Sequence, residues 1–194
     1  MAGRRQLGWL GIGLDERVPN IAADRYLFEL QVQGNEHHGS LAEPAEVFPA
    51  VRKTVDFKLY REAQGVACHC GLNTELETCC LPLIQGHVHA ATCESLMRAR
   101  YTAFVVGAWD YLSATWHPAT RPKTMTRDSE TQWLGLRVIA THQGLAQDKT
   151  GTVEFIARSK TGGSAHRLHE VSRFVREQGL WFYLDGDLKP QRPR

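Results

Sequence analysis

The sequence predicts an α+β domain in which helices pack on one face of a curved antiparallel sheet. A helical period of three to four runs through residues 92–116, and a period of two recurs in four later segments separated by turn residues. Helices first and consecutive strands afterwards describe that architecture. A third observation adds an appendage: Cys68, Cys70, Cys79 and Cys80 fall within 13 residues just ahead of the helices.

The spacing predicts a helix over 92–106. Thr92 can cap it, Glu94 sits favourably in its first turn, and Gly107 stops it. Cys93, Leu96, Met97, Tyr101 and Phe104 recur three or four apart and form one buried stripe, with Arg98 off it. A shorter helix over 110–116 ends at His117-Pro118, because the residue before a proline is pushed out of the helical region. Leu134, Leu136, Val138 and Ala140 then alternate in one strand, and Val153, Phe155 and Ala157 in the next. Lys160-Thr161-Gly162-Gly163 turns the chain into a strand near 168–176, and Gln178-Gly179 turns that into 180–184.

Residues 1–64 carry scattered Gly and Pro, the pair His37-His38 and no sustained period, and read as an irregular extension. Residues 189–194 read as a polar tail. The net charge is +2, and basic residues do not cluster: residues 1–64 hold 8 basic and 9 acidic side chains, the remainder 15 and 12. Nucleic acid and anionic membrane surfaces are therefore poor partners. No apolar stretch approaches a membrane-spanning helix, and the apolar run at 7–14 is broken by Gly8, Gly11 and Gly13 with no small-residue cleavage site. The chain is expected in the cytoplasm, where thiols bind metals or stay free.

Residues two apart in an extended segment point to the same side, so Cys68 and Cys70 can reach one ion while His69 points away. Gly71 permits the chain to reverse, and Cys79-Cys80 closes the site. Four soft thiolates are the set that zinc takes in closed structural sites, with no position left for a catalytic water. An iron–sulfur cluster uses the same ligand type. A disulfide between neighbours is strained. Cys93 on the helical stripe reads as a small core residue, and His87 and His89 as solvated.

Cys68-His69-Cys70-Gly71 through Cys79-Cys80 resembles the SEC-C zinc motif of the protein-translocation motor SecA. Leu96-Met97-Arg98-Ala99-Arg100-Tyr101-Thr102-Ala103-Phe104, Thr115-Trp116-His117-Pro118, Ser172-Arg173-Phe174 and Trp181-Phe182-Tyr183-Leu184-Asp185-Gly186 are similar to the YchJ-like family, uncharacterised protein family 0225. The resemblance implies a zinc knuckle over 66–86 followed, over 90–188, by a nuclear transport factor 2-like (NTF2-like) cone in which a curved sheet wraps a long helix. The chain departs from that pattern at Gly71-Leu72-Asn73, where Gly-Ser-Gly is usual, and at Leu76, where an aromatic is usual. Some relatives carry a second knuckle at the carboxyl end, and relatives tend to begin close to the first knuckle. Residues 1–64 are accordingly expected to be dispensable, with an alternative start at Val55 or Val66.

A cone of this kind encloses a cavity. Candidate lining residues are His117, Trp133, His169, Arg173 and Trp181, with Asp110 and Tyr101 nearby. Each has a structural alternative: the tryptophans as core fillers, His117 as a helix-end hydrogen-bonder, and Arg173 as a partner of Glu170 or Glu154. No nucleophile–base spacing, carboxylate pair or phosphate-cradling loop stands out, and Gly11-Ile12-Gly13 lacks a strand–turn–helix context. The expected function is a zinc-bearing protein-interaction module related to SEC-C proteins of export or ribosome association. The rival is a small-molecule-binding protein or enzyme using the cone.

Overall fold

The computed structural model describes residues 64–125 and 130–190. The extension read over 1–64 therefore lies outside the described residues apart from Gln64, as does the tail beyond Pro190. Among the described residues three helices, α1 (Leu81–Ile84), α2 (Cys93–Val106) and α3 (Trp109–Ala114), precede four strands, β1 (Gln132–Gln143), β2 (Thr150–Thr161), β3 (Ser164–Glu177) and β4 (Leu180–Leu188). The strands form one antiparallel sheet in the order β1-β2-β3-β4.

Local chemistry sets the ends of α2. Thr92 Oγ1 accepts from the Ser95 N–H at 3.1 Å, and Ser95 Oγ accepts from the Thr92 N–H at 3.1 Å, a reciprocal capping box. Gly107 ends the helix in the left-handed region at φ 73°. The stripe of Cys93, Leu96, Met97, Tyr101 and Phe104 is buried, as its spacing requires. So are Ala99, Arg100, Thr102 and Ala103, because α2 is covered on more than one side.

Two-residue turns join the later strands. Gly162-Gly163 (φ 56° and 84°) and Gln178-Gly179 (φ 49° and 83°) both have the doubly positive φ that matches strand twist in a tight hairpin. Strand β1 departs from the simple alternation. Register shifts at Trp133/Gly135 and at Val138/Ala140 change its phase, so Leu134 is 53% exposed while Leu136 is 8% exposed. Trp133, Leu136 and Val138 pack on the core, and Ala140 is exposed.

Helix α2 lies across the inner face of the sheet, with Leu96, Met97, Tyr101 and Phe104 against Phe155, Phe174 and Tyr183 in one hydrophobic core. The segment after α3 clamps edge strand β4. Trp116 bridges to Tyr183, whose N–H donates to the Thr115 carbonyl at 2.9 Å, and the His117 N–H donates to the Tyr183 carbonyl at 2.8 Å.

Candidate metal centre

The four cysteines converge because three short devices follow one another. The Cys68 N–H donates to the Thr74 carbonyl at 2.7 Å and the Leu76 N–H to the Val66 carbonyl at 2.8 Å, closing a small loop. Gly71 reverses the chain inside it at φ 82°. A 3₁₀ turn over Leu76–Thr78 then delivers Cys79, and Cys80 directly precedes α1.

All four Sγ atoms lie within 4.8 Å of one another. Cys70 and Cys79 sulfurs are 3.6 Å apart, and those of Cys79 and Cys80 are 3.9 Å apart. Thiolates bound at about 2.3 Å to one tetrahedral ion stand about 3.8 Å apart, so the spacing fits a single ion. All are free cysteines, and a disulfide would need about 2.05 Å between sulfurs. A multi-iron cluster divides its thiolates among several irons and spreads them further apart. Cys68, Cys70 and Cys80 are buried, and Cys79 is half-buried.

Among the thiols themselves, mutual hydrogen bonds drive the acidities in opposite directions. Hydrogen bonds from Cys70 and Cys80 hold the Cys68 thiol well below its ordinary value. Donating to Cys68 pushes Cys70 up to about 12 and Cys80 higher still. Four thiolates crowded into a buried site need a cation to offset their repulsion, and binding one releases the remaining protons.

Helix α2 forms the wall behind the site. Arg98 Nη1 donates to the Cys70 carbonyl at 2.7 Å, while Arg98 Nε donates to Glu94 at 2.8 Å. One turn on, Thr102 Oγ1 lies 3.9 Å from Cys68 Sγ. Gly71 also rests on strand β1, where a Cβ would stand 2.6 Å from the Leu136 carbonyl oxygen. The knuckle is thus seated on the cone rather than tethered to it. Arg98 lies off the buried stripe, so helical periodicity alone does not show this role; its spacing of four from both Glu94 and Thr102 is the signal the sequence offers.

The five candidate lining residues do not converge. Trp181 is buried, donates its indole N–H to the Ala91 carbonyl at 3.3 Å, and lines a cavity of about 20 Å³ with Leu83, Val88, His89, Tyr111 and Thr115. Trp133 packs edge-on against Tyr101 with ring centroids 5.6 Å apart. His117 Nδ1 accepts from the Ala119 N–H at 3.2 Å, which leaves Nε2 to donate to Glu177 at 3.2 Å. Strand alternation puts His169 and Arg173 on the outer sheet face, opposite the buried Glu170 and Ser172. His169 Nε2 meets Glu154 at 2.7 Å. Arg173 pairs with Asp185 and Asp187, not with Glu170 or Glu154: Glu170 points into the core, and β4 brings Asp185 directly opposite Arg173. Cys93 is a core residue against Gly144 and Gly151, its thiol raised to about 11 by burial.

A four-cysteine knuckle seated on an NTF2-like cone defines the class of protein. The family model described as "YchJ, middle NTF2-like domain" matches residues 92–186. A UPF0225 protein of Chromobacterium violaceum is 46% identical over 124 residues, covering 62% of this chain and 91% of that one. Another, of Cupriavidus pinatubonensis, is 48% identical over 133 residues, covering 65% and 91%. The chain belongs to the UPF0225, or YchJ-like, family. Among solved structures it is similar to a SEC-C motif containing protein from Rhodopseudomonas palustris, at TM-score 0.57 and 33% identity over 64% of this chain and all of that one. A second SEC-C motif containing protein, from Psychrobacter arcticus, matches at TM-score 0.52 and 27% identity, covering 67% and 85%. Among the described residues no helix is long and apolar enough to cross a membrane.

Proposed function

We propose that Cys68, Cys70, Cys79 and Cys80 hold one structural zinc ion, and that the knuckle over 66–86 and the cone over 90–188 together form a cytoplasmic protein-interaction module. The observation that carries the reading is the contrast across the knuckle. Its sulfurs are mostly buried against α2, whereas the loop between the two cysteine pairs is exposed from Gly71 to Glu75 and presents Leu72, 45% exposed. A closed metal centre makes such a loop rigid, which lowers the ordering cost of binding a partner. Zinc suits the site because it favours tetrahedral thiolate coordination and has no need of an open position. Likeness to SEC-C motif proteins supports a protein partner by family analogy.

The small-molecule reading is less well supported. The cavity beside Trp181, about 20 Å³, has room for about one water, against roughly 300–1,000 Å³ for ligand pockets. Two measurements test the proposal. Elemental analysis of reduced protein should give one zinc per chain, and Cys70→Ser should abolish it; iron or no metal contradicts the assignment. Affinity capture from lysate should then recover a protein with the wild type and lose it with Leu72→Asp, which leaves the ligands in place. Identical capture by the two proteins contradicts the docking role of the loop.

A further inference from the structure

The interior of the cone holds two ionisable side chains that the metal centre does not use. Arg100 on α2 is 1% exposed and Glu170 on β3 is 0% exposed. A buried charge is tolerated only where its polar atoms find partners, and a guanidinium does not escape by losing its proton. Arg100 is partly provided for. Its Nη1 donates to the Leu112 carbonyl at 2.8 Å and to Thr115 Oγ1 at 2.7 Å. Its guanidinium carbon lies 5.2 Å from the Trp116 ring centroid and 4.9 Å from that of Tyr183. Glu170 is partly provided for too: Oε1 accepts from Ser172 at 2.6 Å and from the Tyr183 hydroxyl at 3.1 Å.

One atom is left over on each side. Arg100 Nη2 and Glu170 Oε2 are both buried without a hydrogen-bond partner. The two side chains meet at Tyr183, whose ring lies under the guanidinium and whose hydroxyl rests on the carboxylate. Each charge also favours the ionised form of the other, as close opposite charges do. On the β4 side the carboxylate is sealed: a Cβ on Gly186 would stand 2.1 Å from Oε1.

We propose that a single ordered water occupies a closed polar site between Arg100 and Glu170, accepting from Nη2 and donating to Oε2. The donor and acceptor left over select this class of occupant. An anion could accept from Nη2 but would face the carboxylate with like charge, and an apolar group would satisfy neither atom. Water accepts at one end and donates at the other, and buried waters take this role wherever polar groups are otherwise unmatched. The site lies within the cone and uses none of the four cysteines.

A high-resolution crystal structure of the full chain tests this directly. One water should lie within about 2.7–3.2 Å of both Nη2 and Oε2, and it should be gone from the Glu170→Met protein. An empty gap, a direct Arg100–Glu170 contact, or an ion or larger molecule in that place overturns the proposal. Should the variant not fold, the wild-type map alone decides between these outcomes.

Discussion

Arg98 reaches from α2 to the backbone of a ligand, donating to the Cys70 carbonyl while Glu94 holds its Nε. Groups in this position orient the ligands and tune metal affinity, with losses of about 10–100-fold when they are removed. Arg98→Met should therefore keep the metal but release it to a chromophoric chelator at least about tenfold faster than wild type. Equal release rates would reduce Arg98 to a surface contact. Glu170 sets a different expectation. Burial raises its carboxyl to about 7 from an ordinary 4.5, against hydrogen bonds from Ser172 and Tyr183 and the charge of Arg100, all of which lower it. The folded chain then binds more protons than the unfolded chain between those values. Its contribution to stability is complete below about pH 4.5 and is lost as pH rises to about 7, on the order of 3 kcal/mol at most. The difference in denaturant unfolding free energy between wild type and Glu170→Gln should show that decline from pH 4.5 to 8, since the pH dependence of metal binding is common to both proteins. A difference that stays constant over that range contradicts the raised carboxyl.

Among elements, legibility in the sequence followed from how much each depends on its neighbours. Helix α2 was readable at both ends because Thr92, Ser95 and Gly107 act within one turn. The turns at Gly162-Gly163 and Gln178-Gly179 were readable for the same reason, since their φ angles suit glycine. The phase of β1 was not readable. Its two register shifts depend on pairing with β2, and they turn Leu134 outward while Trp133 packs inward. Nor was the burial of Arg100, since nothing in a window around an arginine shows that Trp116 and Tyr183 will stack on it. The cysteine cluster was legible from spacing alone, but its seat on α2 and β1 was not, because Gly71 meets Leu136 only in the folded chain. That seat gives an element-scale expectation. Gly71→Ala combines a left-handed φ of 82° with a Cβ 2.6 Å from a backbone oxygen, and should cost about 1–3 kcal/mol. The loss should appear as a lower melting temperature together with faster metal release. Unchanged values for both would mean that the knuckle does not press on β1.

At the scale of the whole molecule, the knuckle and the cone share one core: Cys68, Cys70, Leu76, Cys80 and Leu81 belong to the same buried cluster as Phe155 and Tyr183. A helix-plus-sheet domain with its own core would be expected to survive loss of the metal unchanged. Docking through Arg98, Thr102 and Gly71 instead couples the two, so that what loosens the knuckle also bares one side of α2. The described contacts that close the knuckle start at Val66. A chain beginning at Val66 should accordingly retain its metal and melt within a few degrees of the full chain; a larger drop would assign residues 1–64 a stabilising role. The coupling itself is tested most directly by thermal unfolding of reduced protein before and after metal is stripped by a chelator. The expected result is one cooperative transition in both samples, shifted down by about 10 °C or more once the metal is gone, because binding energy at a structural site is folding energy. An unshifted transition of the helix and sheet signal after complete metal removal would contradict the account.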